Sequence, residues 1–153
     1  MSSGENEDKI SALLILEILG RPPEHLKETL GKIIGEMEKE KGVEVKNKKI
    51  NEPVELKEKK EFYTTFAEIE VDVKSISHLS MLVFKYMPAH IEIISPENLK
   101  ISNNSVNELF NELTRRLHGY DEVARIIQAE RKILEQKLKA LMEKDKKTKK
   151  EDK

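Results

Sequence analysis

The stretch FYTTFAEIEVDV, residues 62–73, is the clearest strand in the chain. At period two, Tyr63, Thr65, Ala67, Ile69, Val71 and Val73 fall on one side; Phe62, Thr64, Phe66, Glu68, Glu70 and Asp72 fall on the other. The first side suits a core and the second, with three carboxylates, suits water. Upstream, residues 10–19 (ISALLILEIL) are apolar on both faces, with Ala12, Leu14, Leu16 and Ile18 on one and Leu13, Ile15 and Leu19 on the other. So short and continuous a run suits a central strand.

Between these strands, Gly20-Arg21-Pro22-Pro23 breaks the first run, and Pro23 fits the first position of a helix. Leu26, Leu30, Ile33, Ile34 and Met37 then recur at helical spacing, ending near Gly42. Gly31 and Gly35 each weaken that helix by about 1 kcal/mol relative to Ala, a cost that close packing on a sheet would explain. Val43–Lys46 alternates as a short edge strand, and residues 47–60 form a charged connector. Beyond residue 73, Ser75 or Ser77 caps a second helix carrying Ile76, Leu79, Leu82, Val83 and Tyr86, which Pro88 stops. Ile91–Ile94 make the fourth strand. The element order between Ile10 and Ile94 is strand, helix, strand, twice over. It predicts an α+β fold over residues 9–100, a ferredoxin-like βαββαβ sandwich with a four-stranded antiparallel sheet and both helices on one face. Residues 10–19 and 62–73 are expected at its centre.

Two extra C-terminal helices are expected within residues 104–145. Ser105-Val106-Asn107-Glu108 matches a capping box, followed by Leu109, Phe110, Leu113 and Leu117 on one face. Gly119 marks a bend, and a long helix runs from Tyr120 to about Lys144. Along it, Tyr120, Val123, Ile127, Leu134 and Leu141 fall near heptad spacing, but with Glu130 and Lys137 at the alternate seam positions the seam is broken. Ile126, Ala129, Ile133 and Ala140 widen the apolar face. Residues 1–8 read as a disordered lead-in and residues 146–153, with five lysines against two acids, as a solvated tail.

Composition narrows the function classes. A length of 153 residues fits one domain plus an appendage. A net charge of -1 gives no overall field to steer a polyanion. Cysteine is absent, which excludes disulfides and thiol catalysis and suits a reducing cytoplasm. The longest apolar run, Ala12–Leu16, falls far short of the ~20 residues that span a bilayer.

No catalytic, cofactor or metal set emerges. The four histidines, His25, His78, His90 and His118, sit in four different elements without helical pairing. Glu68, Glu70 and Asp72 are ~6.5 Å apart along their strand, so an ion there needs ligands from elsewhere. Phe62 and Phe66 share the polar face as base-stacking aromatics do in RNA-recognition domains, but those three carboxylates would repel phosphates. Nucleic acid or a ribosome surface is left with weak contact through the Lys-rich tail.

These readings point to a non-enzymatic, cytoplasmic interaction and assembly module. It would form a homodimer or bind a protein partner through Tyr120, Val123, Ile127, Leu134 and Leu141, without membrane contact. The alternative is a small-molecule-sensing regulatory domain. Its ligand would sit between sandwich elements near Arg21, His90 and the second helix. In element order the first 95 residues resemble the ACT regulatory domains. Arg21-Pro22-Pro23 stands where that family has a glycine turn, and no site residue carries over.

Overall fold

Backbone pairing between the two longest strands organises the structure. The computed structural model describes residues 9–152; the expected lead-in, residues 1–8, and Lys153 lie outside the described residues. In chain order the elements are β1 (Ile10–Gly20), α1 (Pro23–Glu38), β2 (Val43–Ile50), β3 (Val54–Glu55), β4 (Tyr63–Val73), α2 (Ile76–Tyr86), β5 (His90–Ser95) and α3 (Asn103–Glu151). The chain divides into two units that meet in sequence at Val106 and Asn107. The first is an α+β unit with an open antiparallel sheet.

The sheet runs β2-β4-β1-β5. β1 and β4 pair antiparallel over their whole length, from Ile10 opposite Val73 to Gly20 opposite Tyr63. Among the described residues the sheet has five strands rather than the expected four, because β3 pairs with β4 beyond the end of β2. β2 is also longer than its apolar residues suggest. A bulge between Val45 and Asn47 breaks the alternation, after which Lys48 and Ile50 lie opposite Ile69 and Ala67 of β4. Lysines are tolerated there because β2 is an edge strand. Lys48 extends to the Glu38 carboxylate of α1. The other edge, β5, is exposed at every residue and carries Ile91, Ile93 and Ile94.

One sheet face and both helices of this unit enclose the core. Ala12, Leu14 and Leu16 of β1 are buried beside Ala67, Ile69 and Val71 of β4. They meet Leu30, Ile34 and Met37 of α1 and Leu79 and Leu82 of α2. Thr65, the buried polar residue among them, donates its hydroxyl to the Asn51 carbonyl at 2.6 Å. The open face carries Glu68, Glu70 and Asp72, and Asp72 accepts from the Ser11 hydroxyl at 2.6 Å. Gly31 and Gly35 do not serve close packing, since a Cβ at either would meet nothing within 4 Å. Gly42 is needed. It adopts φ +79°, and a Cβ there would run into the His78 ring. His78 Nδ1 in turn pairs with the Ser75 hydroxyl at 2.8 Å, so Ser75 is the residue before α2 without capping it through its side chain.

Glu40, just past α1, ties that helix to the end of α2. It accepts from the Tyr86 hydroxyl at 2.6 Å and from Lys85. The hydrogen bond from Lys85 and then that from Tyr86 hold the Glu40 carboxyl below the usual carboxylate range. Burial, followed by the Glu40 bond, pushes the Tyr86 hydroxyl up.

Two tests follow from this packing. In urea titrations Ile69→Ala and Leu82→Ala should each cost about 2–5 kcal/mol, and Glu68→Ala and Glu70→Ala less than ~0.5 kcal/mol. A depressed carboxyl contributes stability above its unfolded pKa and loses it as pH falls through the folded value. Glu40→Gln should therefore lower Tm at neutral pH, and the gap from the parent should close as pH drops below about 4.

Candidate functional site

α3 begins one turn before the expected capping box. The Ser102 hydroxyl accepts the Ser105 N–H at 3.1 Å, and the Val106 N–H bonds the Ser102 carbonyl at 3.1 Å. Ser102 thus satisfies donors of the first turn in the way an N-cap does. From Asn103 the helix runs 49 residues without a break, about 74 Å at 1.5 Å per residue. The two C-terminal helices expected from the sequence are one. Gly119 lies inside it, because a single glycine costs only about 1 kcal/mol and the neighbouring turns carry good helix formers such as Arg115, Arg116, Leu117, Glu122 and Ala124. The Lys-rich tail is helical through Glu151 as well, with Asp145 and Lys149 one turn apart at 3.8 Å.

The polar faces of α3 are braced internally. Arg116 pairs with Glu112 at 2.7 Å, Arg125 with Asp121 at 3.0 Å and Arg131 with Glu135 at 2.9 Å. Such one-turn pairs contribute about 0.2–0.5 kcal/mol each. The Arg116 bond is the main reason the Glu112 carboxyl lies below its ordinary range.

The apolar face has no such support. No described residue of α3 is buried. Tyr120 is 51% exposed, Leu134 65% and Leu141 64%, in company with Phe110, Leu117 and Leu138. Because the helix is continuous, its heptad phase carries through Gly119. Leu113, Tyr120, Ile127, Leu134 and Leu141 then recur every seven residues, and the alternate positions are Phe110, Leu117, Ala124, Arg131 and Leu138. Nine of those ten residues are apolar. Glu130 and Lys137 flank this seam and do not interrupt it. Val123 lies beside it, with Ile126 and Ile133 widening the face. The sequence carried this signal in the four-residue step from each repeat position. The break expected at Gly119 hid it by separating Phe110, Leu113 and Leu117 from the rest.

Arg21 and His90 are not brought together. His90 lies opposite Ile15 on β1, and Arg21 follows the end of that strand six residues on, about 20 Å away at strand rise. Arg21 borders an open hollow with Pro22, Pro23, Glu55, Glu61 and Tyr63. Its guanidinium is engaged by Glu61 at 3.3 Å and lies 5.2 Å from the centre of the Phe62 ring. Phe66, by contrast, lies on the open sheet face opposite Glu17. Among the described residues no three His, Asp or Glu side chains are grouped to hold a metal ion, and no helix is long and apolar enough to cross a membrane.

These features define an α+β protein whose C-terminal helix presents a long apolar seam. The model of the MJ0538 family matches residues 11–150, and the chain belongs to that family. The matched residues include nearly all of the sheet and of α3. Comparison with curated proteins and with solved structures gives no match.

Gly119 tests the continuity of the helix. A Cβ there would meet nothing within 4 Å, so Gly119→Ala should stabilise α3 by about 1 kcal/mol. Circular dichroism should show a higher melting temperature for the helical signal. A loss of helicity would restore the bend.

Proposed function

We propose that this protein is a non-enzymatic assembly module: a ferredoxin-like βαββαβ sandwich, extended by β3, whose C-terminal helix pairs with a second copy of the chain. One observation carries the reading. From Phe110 to Met142, α3 holds large apolar side chains in the open and buries none. Most helical stability in proteins comes from packing an amphipathic face, and burying one Leu or Ile side chain contributes about 1.5–3 kcal/mol. Sustained apolar heptads give those residues a place in a facing helix. Two-fold self-pairing is the commonest arrangement that supplies one. Tyr120, Val123, Ile127, Leu134 and Leu141 are the contacts assigned to the partner. The lack of cysteine suits work in a reducing cytoplasm.

Sedimentation of the intact chain at tens of micromolar should give twice the 17.7 kDa monomer mass. Replacing Ile127 and Leu134 together by Lys should yield a monomer, while urea unfolding of the sandwich stays at the parent midpoint. A parent that sediments as a monomer would sink self-assembly.

A further inference from the structure

The seam of α3 carries information about direction. In a parallel, in-register pair each seam residue faces its own copy, so Arg131, with its Glu135 partner at 2.9 Å, would meet the partner's Arg131 inside the apolar layer. Glu130 would also flank the partner's Glu135 on both sides of the pair. Like charges placed together in a desolvated interface oppose that arrangement.

Reversing one helix removes the conflict. In an antiparallel pair, residues at one seam position face those at the other. An axis between Arg125 and Ile126 sets Phe110 against the partner's Leu141, Leu113 against the partner's Leu138 and Leu117 against the partner's Leu134. Ala124 then faces the partner's Ile127, a small residue against a large one. Arg131 faces the partner's Tyr120, where a guanidinium over an aromatic ring is attractive. Every seam residue from Phe110 to Leu141 is used. The like-charge pair this register creates, Arg116 beside the partner's Lys137, lies on the exposed flank rather than in the seam, and Arg116 shares the Glu112 carboxylate with Arg115.

We propose that α3 pairs antiparallel with the α3 of a second copy, about a two-fold axis between Arg125 and Ile126, with Arg131 stacked on the partner's Tyr120. The proposal rests on the assembly reading above and adds the direction and register of pairing.

A cysteine-free chain makes the test direct. Leu117→Cys and Leu134→Cys are prepared separately in the full chain, both positions being exposed on α3. Each is oxidised alone and after mixing with subunit exchange, and sedimentation is run on the same samples. A disulfide needs Cα atoms within about 7 Å. In the proposed register the two copies of one variant keep their cysteines 17 residues apart along the axis, about 25 Å. Each variant alone should therefore stay uncross-linked, and the mixture should give a cross-linked dimer. Self-cross-linking of L134C alone, or a dimer that cross-links in neither setting, overturns the antiparallel register and leaves assembly standing. A monomer in sedimentation overturns both.

Discussion

The pairing of β1 with β4 is the constraint on which the first unit depends. Because the ladder runs unbroken from Ile10 opposite Val73 to Gly20 opposite Tyr63, the alternation of one strand fixes the facing of the other. Leu14 must lie beside Ile69, and Ala12 beside Val71, on the side where α1 and α2 pack. A slip of one residue would turn every one of those side chains to water and bring Glu68 and Glu70 into the core. β2, β3 and β5 are added to an arrangement already decided.

α3 obeys a different economy. Its backbone bonds are internal and its charged pairs lie one turn apart, so its local structure is complete without the sheet. What stays unsettled within one copy is the fate of the apolar side chains. The two units therefore divide the hydrophobic effect between them: the first spends it within one chain, and in the proposed pairing the second spends it between chains.

Legibility in the sequence followed the regularity of the physics. The buried face of β4 could be read directly, because its period two was clean and its other face acidic. The helical stripe of α1 was readable for the same reason. β1, apolar on both faces, read as a central strand, and only its register with β4 decides which side packs on the helices. β2 was cut short because the bulge at Lys46 shifts the phase of its alternation, and β3, only two residues long, leaves no pattern at all. Gly119 lowers helix stability by an amount that neighbouring residues absorb, so a bend read there hides the phase joining Leu117 to Tyr120. In the sequence Arg21 stands out only by its place after a strand. Its neutralisation by Glu61, a residue 40 positions away, has no trace in local sequence.

The two edges of the sheet are unequal, and this bears on how far sheets can join. Open-ended growth by strand addition needs two receptive edges on every subunit, one to give and one to take. β5 offers isoleucines and a nearly uncharged edge; β2 offers a bulge and the exposed lysines Lys46, Lys48 and Lys49. Bulges and edge lysines discourage pairing. With one edge discouraged in this way, edge-to-edge contact between copies favours a single β5–β5 junction over open-ended growth through the sheet.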